Sequence, residues 1–341
     1  MRRPVRLGLV GVGRMGRLHA ENLVRSPAVE LVRIVDIVEE TAQAAGDELG
    51  LEWSTRYDDV LRDSEIEGVV VVTPTALHTE MVQQASAAGK HVFCEKPLAF
   101  DLERTVQAIE AAAAAGVKLQ VGFQRRFDPS WAAAARQIHD GELGDVYLFR
   151  SSLRDKRGPS MDYIAGSGGL FADMTVHDLD TARWMIGEID EVTAVGAALS
   201  DPGYAELGDI DQSVVTLRFA NGALGVIDNS RSAGYGYECS AEVVGSKATV
   251  RIDRHRRVYN EWLTPGRGSV DRMDDFRELF PEAYLLELED FAAAIRDDLP
   301  ASVTGEDGLA AFVLAQACDR SRREGRTIRV GDEAPEMEVG T

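Results

Sequence analysis

Val5-Arg6-Leu7-Gly8-Leu9-Val10-Gly11-Val12-Gly13-Arg14-Met15-Gly16 decides how the chain begins to fold. An apolar run leads into G-x-G-x-x-G and then into residues with helical spacing, which is the context a dinucleotide-binding turn requires. Gly11 permits the tight turn, Gly13 lets the backbone approach a pyrophosphate, and Gly16 lets the helix pack close to the strand. Val12, Arg14 and Met15 complete the turn, so the whole stretch is a candidate cofactor contact. The helix N-terminus offers that pyrophosphate free N–H groups and a positive dipole end. Twenty residues past Gly16, Asp36 closes the next apolar run, where a carboxylate accepts hydrogen bonds from adenosine ribose hydroxyls. Its charge opposes a 2′-phosphate, Glu39 and Glu40 lie close by, and Ile37 and Val38 follow without an arginine. The reading is NAD rather than NADP, with Asp36 and the adjoining Ile37 at the ribose end.

Outward from the turn, short apolar runs recur at Val5–Val10, Leu31–Val35, Gly68–Thr73, Lys90–Cys94 and Val117–Gly122. Alanine-rich stretches with helical spacing, such as Met81–Ala88 and Leu102–Ala115, lie between them, with Asp101 as an N-cap and Gly116 as a stop. Runs that are apolar throughout suit strands covered on both faces, and repeated strand–helix–strand units imply a parallel, doubly wound α/β sheet. After about residue 145 the pattern changes. Asp145–Leu153, Glu191–Ala198, Gln212–Phe219, Ala223–Ser230, Tyr237–Val244 and Ala248–Arg254 read as longer strands, with Asn221-Gly222 and Gly245-Ser246 as turns. The expected second layer is a large open antiparallel sheet preceded by one helix over Phe171–Ile186. Helical stretches at Glu282–Asp298 and Gly308–Glu324 close the chain, and Gly266–Gly268 is a local loop. The expected division is 1–122 and 123–341, with C-terminal helices able to pack back on the first domain.

The 341 residues suffice for two domains, and 45% hydrophobic with 28% charged residues is a globular composition. A formal net charge of −20 opposes binding to nucleic acid or an anionic membrane. Cys94, Cys239 and Cys318 are scattered, which argues for a reducing compartment and against a disulfide framework or a zinc site. No run approaches the roughly 18 apolar residues of a membrane span, so a cytoplasmic protein is expected.

Two further segments carry chemistry. Cys94-Glu95-Lys96-Pro97 follows a strand, at the sheet end where ligands gather, which puts Lys96 near the reactive end of a cofactor. In Gly168-Gly169-Leu170-Phe171-Ala172-Asp173-Met174-Thr175-Val176-His177-Asp178, Asp173 and His177 are four apart on a predicted helix and share a face. That pairing suits a histidine acid/base oriented by a carboxylate. Asp173, His177 and Asp180 also carry metal-ligand atoms, but dehydrogenation with NAD needs no metal, and none is expected. His19 and His78 read as packing or solvent-facing on the residues alone, and His91, His139 and His255 as structural or solvated.

The glycine turn, Glu95-Lys96-Pro97 and Asp173-x-x-x-His177, in this order, resemble the Gfo/Idh/MocA oxidoreductases over nearly the full length. Gly122-Phe123-Gln124-Arg125-Arg126-Phe127-Asp128, Ser152-Leu153-Arg154-Asp155 and Asp173–Asp180 look most like the inositol 2-dehydrogenases among them. The resemblance implies a Rossmann domain, a C-terminal α/β domain on an open sheet, and commonly a homotetramer joined through those sheets. It implies that Lys96, Asp173 and His177 form the catalytic group, and that Thr73, Pro74, His78 and Glu95 lie beside the cofactor. In family-like segments, Arg126 (or Arg125), Asp155 and Tyr235 become candidate contacts for a polyhydroxyl substrate, together with Lys96, Asp173 and His177. The implied reaction is NAD-dependent oxidation of myo-inositol to 2-keto-myo-inositol (scyllo-inosose). The alternatives are another inositol isomer or sugar, and, in a different class, a non-catalytic NAD-binding regulator. Retention of Lys96, Asp173 and His177 favours catalysis, since a sensor needs no acid/base group. The basic loop Lys156-Arg157-Gly158-Pro159 leaves room for a charged substrate.

Overall fold

A computed structural model describes residues 3–253 and 256–332. His255 lies outside the described residues. The chain divides into two units, Met1–Phe127 with Glu282–Leu309, and Asp128–Pro281 with Ala310–Thr341. The first unit thus extends five residues beyond the expected boundary at 122 and takes in most of a late helix.

In the first unit, β1 (Val5–Val10), β2 (Val29–Val35), β3 (Glu52–Ser54), β4 (Gly68–Val71), β5 (His91–Glu95) and β6 (Leu119–Gly122) pair in the order β3-β2-β1-β4-β5-β6. Every pairing is parallel. The connecting helices are α1 (Arg14–Arg25), α2 (Glu39–Leu49), α3 (Asp58–Leu61), α4 (His78–Ala87) and α5 (Leu102–Ala115). Asp101 caps α5 by accepting from Arg104 N at 2.8 Å, and Gly116 ends it at φ 65°. Strand order reverses between β1 and β4, so the loops after these strands flank the crevice where such sheets hold ligands. The core joins Leu7 and Leu9 of β1 and Phe93 of β5 to Leu288 and Phe291 from the late helix Pro281–Arg296. All five are fully buried. That helix supplies the cover which the apolar strand face requires.

The second unit holds α6 (Pro129–His139), β7 (Val146–Arg154), α7 (Met161–Ala165), α8 (Val176–Ile186), β8 (Ile189–Ala197), α9 (Pro202–Glu206), β9 (Gln212–Phe219), β10 (Leu224–Ser230), β11 (Glu238–Gly245) and β12 (Thr249–Asp253). Next come β13 (Arg256–Thr264), β14 (Arg267–Arg272), α10 (Phe276–Leu279), α11 (Pro281–Arg296), α12 (Gly305–Glu324) and β15 (Ile328–Arg329), with the units sharing α11 and α12 as divided above. Its main sheet runs β12-β11-β7-β10-β9-β8-β15. The sheet is mostly antiparallel as expected, except that β10 runs parallel to β7. Adjacent strands in sequence need not be neighbours in space, and here β9 and β8 fold back beyond β10. Gly222, at φ 89°, closes the β9–β10 hairpin. The loop at Gly266 is the tip of a separate two-stranded hairpin, β13–β14, which the sequence pattern did not indicate.

A second correction concerns the helix over Phe171–Ile186. Its first turn, Phe171–Thr175, is a π-turn and only Val176–Ile186 is α-helical. Single π-turns inside helices concentrate at functional sites, because they re-aim side chains. Here the turn carries Asp173.

Candidate active site

The cofactor half lies in the first unit. Gly11 sits at φ 89°, and a Cβ there would stand 2.6 Å from the Val72 carbonyl. A Cβ on Gly16 would fall 1.9 Å from the Gly11 carbonyl, so the close approach of α1 to the turn depends on glycine. Gly13 differs, since a Cβ there meets nothing within 4 Å. That open space at an exposed helix N-terminus is the cradle a pyrophosphate needs, and the residues fit the dinucleotide. Asp36 accepts from Val12 N at 2.7 Å and Val38 N at 2.9 Å, so its carboxylate is held against the turn. Ile37 beside it is 89% exposed.

Thr73 and Pro74 follow β4, and Glu95 and Lys96 close β5. His78 links these two loops, its Nδ1 2.8 Å from the Pro97 carbonyl and its Nε2 2.7 Å from the Thr73 carbonyl. The ring is buried, and burial pulls its pKa down against both carbonyls and Glu95. His78, expected beside the cofactor, stands between the loops that follow β4 and β5. Its two ring nitrogens face a backbone carbonyl from each loop, the one N–H of the neutral ring donating to one of them, so it clamps the loops that carry Thr73 and Lys96.

His19 is neither simple packing nor solvent-facing. Its Nε2 lies 2.7 Å from Glu95 Oε1, and the ring packs edge-on against Phe93 and Tyr284. Ligand atoms of His19, Glu95 and Glu287 lie within 4.8 Å of one another. Burial raises the Glu95 carboxyl, but the His19 bond and charge, with Lys96, outweigh it and hold its pKa low. Glu287, fully buried with neither oxygen hydrogen-bonded, is pushed well above the usual carboxylate range by burial and then by the Glu95 charge. Glu287 thus folds as the neutral acid. An unfolded glutamate ionises near 4.5, whereas the folded one keeps its proton to higher pH. Stability from this group is full below 4.5 and falls as pH rises towards the folded value. Glu287→Gln is expected to remove this decline. Its Tm relative to the parent should climb as pH rises above 4.5 in thermal melts, and parallel curves would refute the assignment.

Arg125 is buried, and Arg126 is ion-paired with Asp307 at 3.2 Å. These placements make Arg126 the more available of the two candidates only if that pair opens.

The expected acid/base residues, Asp173 and His177, lie in the second unit. Asp173 accepts from the Tyr163 hydroxyl at 2.8 Å through Oδ1 and from Arg231 Nη1 at 3.0 Å through Oδ2. His177 stands on the first turn of α8, where its carbonyl accepts from Thr181 Oγ1 at 2.7 Å. A buried network locks this helix start to the sheet. Asp178 accepts from Ser151 Oγ of β7 at 2.6 Å and from Asn229 Nδ2 of β10 at 2.8 Å, and Thr175 Oγ1 donates to Asn229 Oδ1 at 2.5 Å. Asp180 is buried too. Two acids on a helix that must be buried were the sequence signal for this frame, but their partners on β7 and β10 were not foreseeable. Asp155 is tied by its backbone, donating to the Ser230 carbonyl and accepting from Ala233 N, both at 2.8 Å. Tyr235 is 44% exposed. It accepts from Arg154 Nη1 at 3.0 Å, donates to Glu238, and lies beneath the Arg272 guanidinium at 4.7 Å. Lys156 of the basic loop pairs with Asp274, which offsets the charge that suggested an anionic substrate.

A glycine-cradled dinucleotide turn on a parallel α/β sheet is the frame of an NAD-dependent oxidoreductase, and the relatives place this one among those acting on CH–OH donors. Residues 5–123 match the model of the oxidoreductase family's NAD-binding Rossmann fold, and residues 135–330 that of its C-terminal alpha/beta domain. The chain belongs to the Gfo/Idh/MocA oxidoreductase family. It is 40% identical to an inositol 2-dehydrogenase of Rhizobium meliloti (96% of this chain, 99% of the relative). It is 38% identical to a scyllo-inositol 2-dehydrogenase (NAD(+)) of Bacillus subtilis, over 97% of both chains. The structure of a Lactobacillus casei scyllo-inositol dehydrogenase with bound NAD(H) and scyllo-inositol superposes at a TM-score of 0.90. That pair shares 30% identity and covers 96% of this chain and 100% of the other. Among the described residues no helix is long and apolar enough to cross a membrane.

Proposed function

We propose that this dehydrogenase oxidises one ring hydroxyl of an inositol, with myo-inositol giving 2-keto-myo-inositol as the leading case. The observation that carries the reading is the Asp173 carboxylate, held at both oxygens on a π-turn immediately before His177. The names of the relatives support the substrate class. NAD, when bound, supplies the hydride acceptor, so alcohol and NAD⁺ become ketone, NADH and one proton. His177 takes the hydroxyl proton, with Asp173 orienting the imidazole. Lys96 donates a hydrogen bond to the same oxygen and stabilises the developing alkoxide charge. Gly11–Gly16, Asp36, Ile37, Thr73, Pro74 and Glu95 form the cofactor cradle, and Arg126, Asp155 and Tyr235 are candidate polyol contacts. A panel of cyclitols and sugars scored by NADH absorbance tests the assignment. Turnover of a pyranose with no signal from any inositol would replace the substrate while leaving the chemistry.

We further propose a homo-oligomer, a tetramer, joined through the outer face of the second unit's sheet. Alternation along β9 buries Val215, Leu217 and Phe219 and leaves Val214 exposed, and Val195 on β8 is 63% exposed. Apolar side chains grouped on a sheet face mark interaction surfaces. Val195→Glu is expected to shift the protein to smaller species in sedimentation velocity. An unchanged profile would place the interface elsewhere.

A further inference from the structure

Arg231 follows β10 with its side chain only 1% exposed. A guanidinium is buried at acceptable cost only with anionic partners. Its Nη1 donates to Asp173 Oδ2 at 3.0 Å, and its Nη2 stands 3.9 Å from Asp209 Oδ2. Asp209 also accepts from Leu170 N at 3.0 Å, so the acid that balances Arg231 fixes the residue preceding the π-turn. The other oxygen of Asp173 has different company. Oδ1 accepts from Tyr163, which stands on the short helix α7 and is 44% exposed. One carboxylate oxygen therefore faces a buried cation and the other an accessible phenol.

We propose that Arg231 is the positioning residue for Asp173, and that Tyr163 is a substrate-contacting residue that decides affinity for a polyol. The proposal rests on the reading of Asp173 as a member of the catalytic group. With Oδ2 pinned by Arg231, only Oδ1 turns towards substrate. An ionised carboxylate has lone pairs to spare, so Oδ1 accepts a substrate hydroxyl without releasing Tyr163. The phenol keeps its one proton on Oδ1, so its oxygen is the acceptor for the hydroxyl on the neighbouring ring carbon. Two acceptors side by side suit the two hydroxyls of a vicinal diol and disfavour lone alcohols. The fork of Arg231 fixes direction as well as charge, which the point charge of a lysine does only in part.

Four variants test this, with steady-state kinetics on the best polyol and NAD affinity by titration. Arg231→Gln is expected to lower kcat about 100-fold by misplacing Asp173, with NAD affinity unchanged and Arg231→Lys recovering part of the loss. Tyr163→Phe is expected to raise the polyol KM about tenfold, the worth of one good hydrogen bond, at little cost in kcat and with unchanged thermal stability. Either arginine variant with parental kcat overturns the positioning role, and if Arg231→Gln does not fold, Arg231→Lys alone decides it. An unchanged polyol KM in Tyr163→Phe overturns the contact. Asp173→Asn separates the layers: if it stays active, the reading of the catalytic group fails. If it is inactive while the Arg231 and Tyr163 variants match the parent, only the present proposal fails.

Discussion

Asp173→Asn is expected to lower kcat by about 10³-fold, within the range that a positioned acid/base pair contributes. The substitution keeps shape and removes charge, and the surroundings make that change severe. Both carboxylate oxygens meet donors, the Tyr163 hydroxyl and Arg231 Nη1. An amide placed there must turn its own N–H₂ towards one of them. Facing Arg231 it leaves a buried cation without its partner, a loss that is strongly unfavourable in a dry site. Turned the other way it keeps the arginine bond, but presents a donor where a substrate hydroxyl needs an acceptor. NAD affinity should be unaffected, because the glycine turn and Asp36 lie in the other unit. Stopped-flow or steady-state NADH formation, with NAD titration as the control, measures both. A kcat within about threefold of the parent would remove Asp173 from the chemistry.

Gly16→Ala is expected to abolish tight NAD binding, by about 100-fold or more. Its Cβ would stand 1.9 Å from a backbone oxygen, which no side-chain adjustment relieves. Either α1 moves away from β1 or the Gly11 turn opens, and both displace the N–H groups that face the pyrophosphate. Gly13→Ala is the informative contrast. Its Cβ meets no atom of the protein within 4 Å, so the melting temperature should be unchanged. NAD binding should still weaken, because the methyl enters the space assigned to the phosphates. Equal NAD affinity for Gly13→Ala and the parent, by calorimetric titration, would move the pyrophosphate away from this turn.

What could be read from sequence was local. The glycine turn, Asp36 and the Asp173–His177 spacing are each contained in one short segment, and their chemistry follows from spacing along one strand or helix. The parallel pairing of β10 with β7 escaped because it joins strands some 70 residues apart, whereas hairpin logic sees only neighbours. The π-turn escaped because an extra residue in one helical turn scarcely alters the apolar period over Phe171–Ile186. The partners of Asp173 escaped for different reasons. Arg231 lies 58 positions away, and Tyr163 sits on a five-residue helix, too short to show a period in sequence. His19 could be recognised as a histidine on the first helix, but its meaning depends on Glu95 and Glu287, which come from a distant strand and a late helix.

The late helix has a consequence for how the protein is made. A chain emerging from the ribosome completes all six parallel strands by Gly122, yet the face carrying Leu9 and Phe93 stays without Leu288 and Phe291 until 166 and 169 residues later. At roughly 5–20 residues per second, the nucleotide-binding unit waits on the order of ten seconds or more for its own cover. Residues 1–127 released alone would therefore expose an apolar sheet face and leave the His19–Glu95 pair without the acid that stands against it. A covalent graft of 282–309 onto that fragment is the smallest change that would give the unit a complete interior.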